Sequence, residues 1–153
     1  VPIIVAMEHV PTFWLLLAIS TGFALVRGGG PERVVAMIFI AGGVGSLLAL
    51  RPISERYGNI ELGVLLVDGF MFAGLLWVAL RSRRYWPLWM AALQILELGS
   101  HFTELLPDIA RLAYGIIISF WSYPMLLILV IGTVRHRIRL SRGLNEAGWV
   151  PRG

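Results

Sequence analysis

The sequence predicts an all-α membrane protein. The expected fold is five transmembrane helices in a bundle, N-terminus outside and C-terminus cytoplasmic. Three observations carry that prediction. Hydrophobic residues fill 58% of the 153 positions and charged residues only 14%, with mean hydropathy +0.78, whereas a soluble domain carries about 25% charged residues. The apolar residues fall in runs close to the roughly 20 residues a bilayer-crossing helix needs. The breaks between runs gather prolines, glycine clusters and arginines. Residues 1–153 are therefore expected to form a single transmembrane domain, with no separate soluble unit.

Residues 1–10 are short and mixed, and are expected at the membrane interface. They show neither a basic run nor a small-residue cleavage site, so no signal peptide is read. Span one covers 11–26. The next break, Arg27-Gly28-Gly29-Gly30-Pro31-Glu32-Arg33, reads as a polar turn, with Pro31 suited to a helix start. Span two, 34–50, carries Ala41, Gly45 and Ala49 at every fourth position. Small residues at that spacing let helices approach closely, inside the bundle or toward a second subunit. Arg51-Pro52 opens the following break.

Span three, 60–80, contains Asp68. Arg81-Ser82-Arg83-Arg84 ends it, and Pro87 falls in the first turn of span four, 85–106. Leu106-Pro107-Asp108 precedes span five, 109–134, which contains Pro124. A proline there removes one backbone hydrogen bond and kinks the helix, and a neighbouring Ser can satisfy the gap. The basic tail, 135–153, continues the last helix into the cytoplasm. Trp14, Tyr85, Trp86 and Trp89 fit interfacial belts, and Trp77 lies within a turn of an inner boundary.

Arginine counts set the orientation. With the N-terminus outside, ten Arg fall on inside segments and only Arg51, Arg56 and Arg111 outside. That is a strong positive-inside bias, and it favours an odd number of spans.

Span four holds the clearest functional signal. Gln94, Glu97, His101 and Glu104 are spaced three, four and three, so they share one helix face. Ionisable groups in such a segment usually face a bundle interior or a water-filled cavity. The topology brings Asp68 to the depth of Glu97 on the neighbouring antiparallel helix. Two carboxylates at mid-membrane cannot both stay ionised cheaply, so a shared proton or a His–carboxylate pair is expected. Three roles fit: a polar network that holds helices together, a proton or cation pathway open to the outside, or a metal or haem site. No cofactor is expected, and the metal question stays open.

The absences narrow the chemistry. With no Cys, thiolate metal ligands, iron–sulfur clusters and disulfides are excluded. All thirteen basic residues are Arg, so no lysine can carry a Schiff-base cofactor. The Gly-rich run at 28–30 lacks the Lys and strand context of a phosphate loop. No triad, metalloprotease helix or dinucleotide motif appears, so the chain is not expected to be an enzyme. The net charge of +4 sits beside span ends, so it indicates anionic headgroups rather than nucleic acid.

Gly29-Gly30-Pro31-Glu32-Arg33, Val64-Leu65-Leu66-Val67-Asp68, Tyr85-Trp86-Pro87-Leu88-Trp89 and Trp121-Ser122-Tyr123-Pro124-Met125-Leu126 carry a resemblance. Over most of its length the chain resembles the uncharacterised small multi-pass inner-membrane proteins of some bacterial genomes. That resemblance implies the bacterial plasma membrane and no particular activity. The expected role is a non-catalytic accessory or assembly subunit of a larger membrane complex or homo-oligomer. Its partners would be membrane lipids and other subunits or itself. The alternative is a proton- or cation-coupled channel or carrier working through Asp68, Glu97 and His101.

Overall fold

The computed structural model describes residues 2–49, 62–101, 111–144 and 147–150, with side chains described from residue 11 in the first stretch and from residue 120 in the third. Five helices follow one another: α1 (Pro2–Arg27), α2 (Gly30–Ala49), α3 (Leu62–Arg81), α4 (Trp86–Ser100) and α5 (Arg111–Ser141). Among the described residues the only extended pairing is an isolated antiparallel bridge between Ser82 and Trp149.

The helix starts follow from proline. Pro lacks an N–H and has a fixed φ, so it suits a first turn, where the N–H has no intrahelical acceptor. Pro31 sits in the first turn of α2, and Pro87 in that of α4. The α1–α2 connection is therefore only Gly28-Gly29, tighter than the turn expected over 27–33, and Glu32 belongs to the helix. Residues 2–10 are helical and continuous with span one through Pro11. At the far end α5 runs unbroken through Pro124 into the basic tail.

Among the described residues two helices, Gly30–Ala49 and Leu62–Arg81, are long and apolar enough to cross a membrane, with mean hydropathies of 1.6 and 2.1. Only 28% and 17% of those windows are buried, whereas the core helix of a soluble protein would be mostly covered. Leu48, Phe70, Leu80 and Trp89 point outward.

The helices close into a ring. Each packs on its neighbour in sequence, α5 returns to α1, and α2 reaches across to α5. Val35, Phe39, Leu75, Val78, Met90, Leu126 and Leu129 fill the centre. Two buried threonines are satisfied within their own helices. Thr21 Oγ1 donates to the Leu17 carbonyl at 2.6 Å, and Thr133 Oγ1 to that of Leu129 at 2.9 Å.

The small-residue face of α2 is mostly internal. A Cβ on Gly45 would stand 3.3 Å from Val67, and one on Gly63 would stand 3.0 Å from Ala49 Cβ. Gly45 and Ala49 thus bring α2 against α3, while Ala41 faces outward.

Two glycines make a controlled comparison. A Cβ on Gly28 would meet the Ala24 carbonyl and lie 2.6 Å from Glu32 Cβ, while a Cβ on Gly69 would meet nothing within 4 Å. Gly28→Ala should lower stability by about 1–3 kcal/mol, the usual overpacking range. Gly69→Ala should be neutral or stabilising by up to about 1 kcal/mol, from helix propensity. Unfolding curves of both variants in one detergent check the contrast.

Candidate functional site

Antiparallel packing of α3 and α4 brings their polar residues together. Asp68 lies two turns into α3, and His101 directly follows α4. His101 Nε2 is 2.7 Å from Asp68 Oδ2, and both side chains are buried. At that distance one proton lies between nitrogen and oxygen. Glu97, one turn back along α4, is buried beside them, within electrostatic reach of both. Its Oε1 accepts a 3.0 Å hydrogen bond from Ser122 Oγ of α5. The cluster thus joins three helices.

Gln94 lies one turn further along the same face and is fully buried. Neither end of its carboxamide meets a hydrogen-bond partner among the described residues. Leaving such a group unsatisfied costs about 1–3 kcal/mol. Its donors and acceptor are therefore available to any hydrogen-bonding species that enters the bundle. Glu104 lies outside the described residues. The sequence puts Asp68 level with Glu97, but the direct partner of Asp68 is His101.

Ser122 carries no site signal in the sequence. Its hydroxyl serves Glu97. The clue available was its position two residues before a proline, in an otherwise apolar stretch.

A second polar group occupies the opposite end of the bundle. Glu32 is fully buried in the first turn of α2, and neither carboxylate oxygen has a hydrogen-bond partner among the described residues. A Cβ on Gly29 would lie 2.8 Å from His136 Cε1 and 3.0 Å from Glu32 Oε2, so the two side chains converge on the Gly28-Gly29 turn. Glu32 reads from the sequence as a loop residue and His136 as part of a basic tail, so their meeting is not foreseen. Burial holds the His136 imidazole below its ordinary value of 6.5. The Glu32 carboxylate opposes that shift, and the charges of Arg139, Arg84 and Arg137 add to it.

Among the described residues, no three acids or histidines converge to hold a metal ion. A His–carboxylate pair beside a second carboxylate has groups that can hold and exchange protons.

Two measurements test this geometry. A double-mutant cycle on Asp68→Ala and His101→Ala should return a coupling of about 0.5–3 kcal/mol, the range for residues in contact. Purely additive effects would contradict the contact. His136 should titrate below 6.5 by NMR. Folding then favours its neutral form, so its contribution to stability is present above pH 6.5 and lost as pH falls through the lowered value. Glu32→Gln should move the midpoint lower still, because it removes the opposing carboxylate.

No family model matches this chain, and no curated protein or solved structure matches it either.

Proposed function

We propose that the chain is a five-span helical protein of a bacterial inner membrane, N-terminus outside and C-terminus cytoplasmic. In this reading it is a non-catalytic channel or carrier that moves protons or a proton-coupled solute. The observation that carries the reading is the buried cluster of Asp68, His101 and Glu97, joined by the half-buried Ser122, drawn from three helices of an apolar bundle. Intramembrane acids and histidines that pair across helices are the usual parts of a proton relay.

The arginine distribution supports the orientation. The segments bearing Arg27 and Arg33, Arg81, Arg83 and Arg84, and the arginines of the α5 extension meet at one end. The Arg83 N–H donates to the Gly148 carbonyl there, and the His136 ring lies at Gly29. By the positive-inside rule that end is cytoplasmic. The Asp68–His101 cluster then opens, if anywhere, to the outside.

The mechanism follows from order along the bundle. A proton arriving from outside meets the Asp68–His101 pair, which already shares one. Glu97 is the next acceptor inward, and Ser122 holds its carboxylate in place by donating to Oε1. Gln94 then offers hydrogen bonds one turn deeper. Beyond it Leu75, Val78, Met90 and Leu129 make a dry layer, and hydrophobic constrictions of this type gate by dewetting. Glu32 and His136 are the next titratable groups toward the cytoplasm.

A role inside a larger complex keeps its motives of small size and missing catalytic motifs. The Gly45–Ala49 face adds nothing to it, because that face packs on α3.

Proteoliposomes holding a lumenal pH indicator provide the test. The wild-type chain should dissipate an imposed pH gradient. Asp68→Asn and Glu97→Gln should each reduce the flux to that of empty vesicles while keeping helix content. Wild-type flux from both variants would overturn the reading.

A further inference from the structure

The segment after α5 turns back over the bundle. Gly143, at φ 72°, makes the reversal in a conformation that favours glycine. The Val150 N–H then donates to the Arg81 carbonyl at 2.9 Å, and the Arg83 N–H to the Gly148 carbonyl at 3.0 Å. These bonds lay Trp149 across the start of α2, where any side chain at Gly30 would strike its indole nitrogen. The same indole tilts against Trp77 of α3, with ring centroids 5.6 Å apart. A cavity of about 360 Å³ lies between Trp77, Arg81, Trp149 and Val150.

The chemistry of this cavity is amphipathic. Trp77 continues the outward apolar stripe of α3 that runs through Leu66, Phe70 and Ala73, so the cavity lies at the end of a lipid-facing surface. Indole rings favour headgroup depth, where one side is apolar and the other wet. The Arg81 guanidinium is a fixed cation with fork geometry that suits phosphate. No described acid pairs with it, and Arg83 and Arg84 follow closely in the chain.

We propose that this cavity binds the phosphate headgroup of an anionic phospholipid from the cytoplasmic leaflet. Arg81 takes the phosphodiester, and the Trp77 and Trp149 rings hold the glycerol and upper acyl carbons. A zwitterionic lipid would bring an ammonium group, and no acid lines this cavity. Free phosphate would leave the indole walls unused. The proposal rests on the membrane reading above and is independent of proton transport.

The test is native mass spectrometry of the full chain, released from mixed micelles of equal phosphatidylglycerol and phosphatidylcholine. The wild type should keep phosphatidylglycerol preferentially, and millimolar inorganic phosphate should not displace it. Arg81→Gln should lose that adduct, Trp149→Ala should weaken it, and Arg142→Gln, outside the cavity, should keep it. Equal retention of both lipids, an unchanged adduct on Arg81→Gln, or displacement by phosphate would each overturn the proposal. If Arg81→Gln does not fold, a photoreactive phosphatidylglycerol on the wild type decides instead. Crosslinks at 77–81 and 149–150 support the site, and crosslinks elsewhere only overturn it. Extraction from membranes by carbonate alone would refute the membrane reading itself. Lost flux with retained lipid would refute only the transport reading.

Discussion

The buried hydrogen bond between His101 and Asp68 ties α3 to α4 in one register. Both groups are buried, and parting them would leave a buried polar group unsatisfied, at about 1–3 kcal/mol. Rotating or sliding either helix would incur that cost, so the register of the hairpin is held. Glu97 sits on the same face one turn away, so it must also turn inward. It then needs a donor, and Ser122 of α5 supplies one. The position of the fifth helix thus follows from a contact between the third and the fourth.

The other end of the molecule is held differently. There the chain uses close approach of backbone and aromatic rings: a turn with no room for a side chain at Gly28, and an indole seated on Gly30. Side-chain pairing plays a smaller part, since the Glu32 carboxylate lacks a described hydrogen-bond partner. The apolar middle layer separates two polar ends of distinct character. One is an interhelical cluster that shares protons. The other is a cationic rim closed by the returning tail.

Much of the helical framework is legible in the sequence, because proline and arginine mark its breaks physically. Pro87 and the Arg81–Arg84 run locate the α3–α4 turn within a residue or two. The polar face of α4 is legible because helical periodicity places Gln94, Glu97 and His101 together without tertiary information. Asp68 follows from the antiparallel hairpin. The exact pairings are not legible, since a turn of offset between helices depends on side-chain packing. Ser122 is missed for that reason. Glu32 and His136 are missed because they lie over 100 residues apart, and only the fold-back of α5 on α1 and α2 makes them neighbours. The role of Trp149 depends on a reversal at Gly143 that no periodic pattern announces.

The length of α5 has a mechanical consequence. Its 31 residues span about 46 Å at 1.5 Å per residue, against a hydrocarbon core of about 30 Å. From Pro124, where one backbone bond is missing, the remainder to Ser141 is a stiff arm of roughly 25 Å. A bend of about ten degrees at that pivot would sweep the tip by roughly 4 Å. The pivot lies two residues from Ser122, which grips Glu97, and the tip leads into the segment that seats Trp149. Any bend at Pro124 therefore displaces the far rim relative to the buried cluster.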